Sequence, residues 1–173
     1  VGIGTGGIGV VSRLQLGAHG INFKKDIKPF FPATGELATL LKDGKVDVSF
    51  LTEGLAKMVT ATHQIKIISW DKAALDAYVK ERPYFGKVIY PPNHFKGVDY
   101  EVLTVDNGVQ LVTHADTPEA LVYKLAKAII ENLDCTAKIF KPMKALNPKH
   151  CSSKLGNPFH PGSIKYFKEA GLM

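Results

Sequence analysis

An α/β fold built on a largely parallel sheet is the class this sequence predicts, on three observations. Short apolar runs read as strands and alternate with amphipathic stretches of about ten residues, the pattern of helices crossing over a parallel sheet. A glycine-rich turn, Gly4-Thr5-Gly6-Gly7-Ile8-Gly9, joins the first such strand to the first helix. Finally, 45% of the 173 residues are apolar, enough for one full core or two small lobes. No window approaches the roughly 18 consecutive apolar residues of a membrane span.

Residues 1–4 form the first strand and residues 10–18 the first helix, which Gly20 ends as a C-cap residue. A second strand follows at 27–32. Thr34 caps a helix ending at Gly44, 46–51 is a third strand, and 54–62 is a helix. After a strand at 65–69, Asp71 caps a helix over 72–81, and Pro83 stops it because its ring cannot continue the hydrogen-bond ladder. The order changes after Tyr84. Residues 86–114 read as extended and turn-rich, interrupted by Pro91-Pro92-Asn93 and Lys96-Gly97, and they finish in a long strand over 101–113 that could link two lobes. Thr117-Pro118-Glu119 then supplies an N-cap, a proline at the first helical position and an early acid, opening the strongest helix, through Leu133. Beyond Cys135 come a short helix, a Pro-rich loop over 142–161 and a closing amphipathic helix over 162–170. The chain opens directly on a strand, with no charged leader or cleavage site, so a segment upstream of it is expected.

Composition narrows the function classes. The formal charge is +6, from 22 Lys and Arg against 16 Asp and Glu, which suits an anionic ligand or partner. The lysines are scattered rather than massed with interleaved aromatics, so a solvated face is favoured over nucleic-acid binding. Cys135 and Cys151 have no third or fourth cysteine with which to build a zinc knuckle, and both a disulfide and two ordinary thiols stay open. His19, His63, His94, His114, His150 and His160 are too widely spaced for a metal motif. No G-x-S-x-G elbow occurs, and His150 beside Cys151 does not make a nucleophilic dyad.

The glycine turn matches G-x-G-x-x-G directly between a strand and a helix. Its physics is general: glycines let the backbone approach a ligand, and free N–H groups at the helix start attract phosphate or carboxylate alike. A dinucleotide site also expects an acid at the end of the second strand, to hold ribose hydroxyls. That strand ends Phe30-Phe31-Pro32, and the nearest acid beyond, Glu36, falls inside the next helix. A small-anion site is therefore favoured over a purely structural turn and over a dinucleotide site. Thr52 and Glu53 end a strand where α/β sheets place ligands, with simple capping the competing role. Tyr84 and Tyr90 border the turn-rich segment and could line a cleft, although core or surface packing is commoner for tyrosine. For His160, in the Pro-flanked turn before the last helix, capping or packing is the ordinary role.

A family resemblance rests on three stretches. The tail Phe159-His160-Pro161-Gly162-Ser163-Ile164-Lys165-Tyr166-Phe167-Lys168-Glu169-Ala170-Gly171-Leu172 looks like the closing His-Pro-Gly-Ala and aromatic-aromatic helix of the TRAP-associated extracytoplasmic immunogenic (TAXI) receptors. Leu41-Lys42-Asp43-Gly44-Lys45-Val46-Asp47-Val48-Ser49-Phe50, with Gly54 following, is similar to that family's helix-Gly-strand run. Pro91-Pro92-Asn93-His94-Phe95-Lys96-Gly97-Val98-Asp99 resembles its Gly-Thr-Tyr loop with a later Gly-Gln-Asp. The similarity implies the two-lobed periplasmic-binding-protein type II fold, here one complete lobe plus the C-terminal part of the other. Residues 1–103 would be the second lobe, and 104–173 a segment returning to the first, whose N-terminal part is absent. There are departures. Places where related receptors usually carry Ser and Thr hydroxyls are Ile8 and Val10, leaving Thr5 and Ser12, and the loop tyrosine is Phe95.

What the resemblance implies is a non-catalytic receptor, periplasmic or extracytoplasmic and associated with the outer face of the membrane. It would capture a small anionic solute, glutamate-like or a dicarboxylate, for TRAP membrane permease subunits. The expected ligand-binding residues are Thr5, Gly6, Gly7, Ile8, Gly9, Thr52 and Gly54, with no cofactor, metal, nucleic acid or membrane span. The alternatives are an NAD(P)- or flavin-dependent oxidoreductase using the glycine loop, and an inert scaffold.

Overall fold

A glycine at position 2 lets three extended segments meet. In this computed structural model, which describes residues 1–139, 146–152 and 156–173, Gly2 forms parallel bridges with Phe30 on one side and Ser49 on the other. A Cβ at Gly2 would stand 2.9 Å from Ser49 Oγ and 3.0 Å from Leu37 Cδ2, so a larger residue would push these segments apart. The Gly2 N–H donates to the Val48 carbonyl at 2.7 Å, Ile3 N–H to Phe30 at 2.9 Å, and Phe50 N–H to Gly2 at 3.0 Å. The stretches predicted as strands at 1–4, 27–32 and 46–51 therefore run parallel with the first in the middle. They meet at isolated bridges rather than in continuous strands.

Helix α1 (Gly6–Ala18) follows the first segment, and a 3₁₀ turn (Thr34–Glu36) leading into α2 (Leu37–Lys42) follows the second. The third leads into α3 (Glu53–Thr60), and then come α4 (Lys72–Glu81), β1 (Gly86–Tyr90) and β2 (Val102–Asp106). Among the described residues, four further helices close the order: α5 (Glu119–Glu131), α6 (Leu133–Ile139), α7 (Pro148–Cys151) and α8 (Pro161–Glu169). The fold is mixed α/β, with β1 and β2 paired in a small sheet. Two compact units divide the chain: Val1–Arg82 with Lys87–Asp106, and Pro83–Gly86 with Asn107–Met173.

In the first unit the core is apolar and closed. Ile3, Leu37, Val59 and Leu75 are wholly buried, each such side chain contributing roughly 1.5–3 kcal/mol on removal from water. Ala56, Phe95, Val98 and Val102 form a buried cluster that Ile67, Tyr90 and Tyr100 pack against. The stretch 65–69, expected as a strand, is held by other means. The Tyr100 hydroxyl accepts from Ile67 N–H at 2.9 Å and donates to the Ile67 carbonyl at 2.8 Å, and Trp70 N–H donates to Leu103 O at 2.9 Å. The expected long strand over 101–113 stops at Asp106. Beyond it Val109, Leu111 and Val112 are fully or largely exposed, so their alternation has no packed face to serve.

In the second unit α5 packs on α8, burying Val122, Tyr166 and Phe167. The His-Pro-Gly run explains how closely they approach. His160 is the N-cap of α8, with Nδ1 accepting from Gly162 N–H at 3.1 Å, and Pro161 occupies the first turn, where its missing N–H costs nothing. A Cβ at Gly162 would lie 2.4 Å from the Glu119 carbonyl and 2.8 Å from Tyr123 N, so only glycine admits this crossing. The expected Pro-rich loop over 142–161 lies partly outside the described residues.

Candidate functional site

Register sets the predicted site residues at matching positions on neighbouring segments. Gly2, Phe30 and Ser49 lie side by side across the parallel bridges. Three residues further along each segment stand Thr5, Ala33 and Thr52, the N-caps of α1, the 3₁₀ turn and α3. Adjacent parallel segments thus turn into helical structure at one level, at their C-terminal ends, which is where open α/β sheets place ligands.

The first turn of α1 is the part of this edge with neither a side-chain cap nor an acid. An α-helix leaves its first N–H groups without intrahelical acceptors, and a polar cap residue usually takes one. Thr5 does not: its hydroxyl donates to the Pro32 carbonyl at 3.4 Å, and its own N–H donates to the same oxygen at 3.1 Å. Gly9 N–H reaches back to Thr5 O at 3.4 Å, and among the described residues the amides of Gly6, Gly7 and Ile8 have no acceptor. No acid lies in this turn, so the positive end of the helix dipole is uncompensated. Thr5, Gly6 and Gly7 are exposed, and no atom comes within 4 Å of where a Cβ would sit at Gly6 or Gly7.

The neighbouring α3 terminus is already balanced. Thr52 Oγ1 accepts from Leu55 N–H at 3.5 Å, so Thr52 is a cap, and Glu53 sets a carboxylate in the first turn. Lys57 Nζ and His94 Nε2 both reach Glu53 Oε1, at 2.7 and 2.8 Å. The Lys57 hydrogen bond first, and the His94 bond after it, hold the Glu53 carboxyl below the usual carboxylate range against the opposing effect of partial burial. Gly54 is exposed with open space where a Cβ would be.

The family model described as the NMT1-like family matches residues 1–171. The chain belongs to the NMT1-like family. This family is periplasmic-binding-protein-like and related to solute-binding receptors, so the chain is of a binding-protein type. Among the described residues, no helix is long and apolar enough to cross a membrane.

Several side chains of this NMT1-like chain have roles other than those expected. Ser12 does not face solvent: buried on α1, it donates to the Ile8 carbonyl at 2.7 Å and to Ile3 O at 3.2 Å. Ile8 turns its side chain inward, so close over Gly4 that a Cβ there would stand 2.8 Å from Ile8 Cγ2, and only its amide belongs to the exposed edge. Gly9 is buried, with its Cβ position 2.4 Å from the Gly4 carbonyl. Thus Gly6 and Gly7 are the open glycines of the loop, and Gly9 is there for packing. Glu36 accepts from Ala33 N–H at 3.2 Å, committing the nearest acid to the 3₁₀ turn rather than to a ribose.

In the second unit of the NMT1-like chain, Tyr84 borders an open groove of about 430 Å³ with Asn107, Gln110 and Asn157, whose amide donates to Gln110 Oε1 at 2.8 Å. Tyr90 packs in the first unit against the core cluster. Cys135 and Cys151 are both unbonded thiols, and burial pushes the Cys151 thiol up. No group of three or more metal-ligating side chains forms among the described residues.

Proposed function

We propose that this NMT1-like protein is an extracytoplasmic receptor that captures a small anionic solute, glutamate-like or a dicarboxylate, and delivers it to a TRAP-type permease at the outer face of the membrane. The observation that carries the reading is the set of free, exposed amides at Gly6, Gly7 and Ile8 on a helix whose first turn holds no acid. A carboxylate seated there would accept several N–H bonds and offset the helix dipole, and each hydrogen bond to a charged group contributes about 1.5–3 kcal/mol. Thr5, Gly9, Thr52 and Gly54 complete the proposed site: Thr5 and Thr52 by fixing the two turns, Gly9 by seating α1, and Gly54 by its open amide. The binding chemistry needs no cofactor and no covalent step.

The finer identity we propose is the TAXI type in its two-lobed form, with 1–103 as the second lobe and 104–173 as the segment returning to the first. Supporting this are the family membership and the division of the chain close to that boundary, after Asp106.

Isothermal titration with glutamate and 2-oxoglutarate tests the reading, using the whole protein and Gly7→Pro. Proline in the first turn deletes one amide donor without removing an intrahelical bond. Saturable binding, weakened about tenfold or more by the substitution, is the expected result. Heat absent at millimolar solute, or NADH bound in its place, would refute it.

A further inference from the structure

The loop 91–99 delivers a histidine to the start of α3. Its His94 stands 2.8 Å from the first carboxylate of that helix, Glu53, and Lys57 takes the same oxygen. Tyr90, the last residue of β1, stacks on the imidazole with ring centres 4.5 Å apart and planes 23° from parallel. Three anchors hold the loop there. Phe95 and Val98 are in the buried cluster, Asn93 N–H donates to Val98 O at 2.7 Å, and Lys96 Nζ donates to the Ala61 carbonyl at 3.3 Å. Asn93 adopts a φ of 65°, a left-handed conformation that asparagine tolerates and that shapes the turn presenting His94.

The charge of this cluster depends on one group. The Glu53 carboxylate and the Lys57 ammonium cancel. The Tyr90 hydroxyl is pushed up to about 12, by burial first and by the nearby Glu53 and Asp106 carboxylates after it, so it stays neutral at physiological pH. The titratable and charged groups around the imidazole are thus Glu53 and Lys57 from α3, Tyr90 from β1, Asp106 from β2 through that hydroxyl, and Lys96 on its own loop. With His94 neutral the Glu53, Lys57 and His94 set carries no net charge; with His94 protonated it carries one positive charge, at the start of α3, whose N-cap Thr52 stands three residues beyond the Gly2–Ser49 bridge just as Thr5 does.

We propose that His94 is a charge-setting, positioning residue of the anion site: protonating its imidazole raises the affinity of that site for an anionic solute, making capture proton-linked. The inference rests on the receptor reading above. Histidine is the side chain that changes charge between about pH 5 and 8, and Glu53 holds the protonated ring by a charge-assisted hydrogen bond. A positive charge near a bound anion is felt in proportion to its protonation, and linkage requires the anion to favour the protonated ring in return.

Glutamate is a suitable probe, since its carboxylates and amine keep their charge between about pH 6 and about pH 8. Calorimetry on the whole protein should give binding tighter at about pH 6 than at about pH 8, on the order of threefold to tenfold. His94→Gln, which keeps a donor toward Glu53 without the charge, should bind at the weaker level throughout. A wild-type NMR titration supplies a measurement that no variant can spoil: saturating glutamate should move the midpoint of the His94 ring resonances upward. Wild-type pH dependence surviving in His94→Gln, or a midpoint indifferent to glutamate, overturns the inference while the receptor reading stands. Glutamate failing to bind at either pH overturns both.

Discussion

Gly9 and Gly7 are two positions apart in one motif and face opposite demands. A Cβ at Gly9 would meet the Gly4 carbonyl at 2.4 Å, whereas at Gly7 nothing lies within 4 Å. Gly9→Ala should therefore cost about 1–3 kcal/mol or more through forced backbone movement. Gly7→Ala should shift stability by less than about 1 kcal/mol, because alanine is the better helix former. Urea denaturation of the two variants measures the difference, and equal costs would mean that α1 does not seat on the first segment as described. The glycine pattern was visible in the sequence, but which glycine packs and which stays open was not, because that is set by the approach of α1 to Gly4. The same cause explains Ile8 and Ser12. Reading the helix from residue 10 left Ile8 in a loop; with α1 starting at Gly6 it stands one turn before Ser12 on the inward face, where Ser12 bonds back to Ile8.

Elements with local signals matched the sequence best. Helix α4 occupies the expected 72–81, since Asp71 caps it, Oδ1 accepting from Ala74 N–H at 3.0 Å, and proline follows. Strands depend on partners elsewhere in the chain, and there the sequence was less informative: Gly86–Tyr90 is a strand in a segment that read only as extended and turn-rich, while 107–113, expected as part of a long strand, forms none although it alternates. An ion pair fixes β1 to α4. Lys87 Nζ approaches Asp76 Oδ1 at 2.6 Å, and Lys72 takes the other oxygen at 2.9 Å. These bonds, that from Lys87 first, draw the Asp76 carboxyl down to about 2. A folded value below the unfolded one of about 3.9 means the stabilisation is complete above that pH and is lost as pH falls toward about 2. The thermal midpoint of Asp76→Asn should thus lie below wild type at neutral pH, with the gap closing between about pH 4 and about pH 2. A gap unchanged by acid would show that the ion pair is not its source.

At the scale of the molecule, the binding-protein class came from the order of motifs along nearly the whole chain, and the family match over residues 1–171 agrees at that level. The net charge of +6 fits an anionic guest without locating it. The proposed location rests on register, which aligns the N-caps of α1 and α3, and on the lack of an acid in the first turn of α1 where α3 has Glu53. The most direct measurement is a ¹⁵N–¹H NMR titration of the whole protein with glutamate, following each backbone amide. The Gly6, Gly7 and Ile8 resonances should shift most, in a saturable manner, with Gly54 moving less. Saturable binding that leaves those three amides in place while shifting a distant set would contradict the account at its centre.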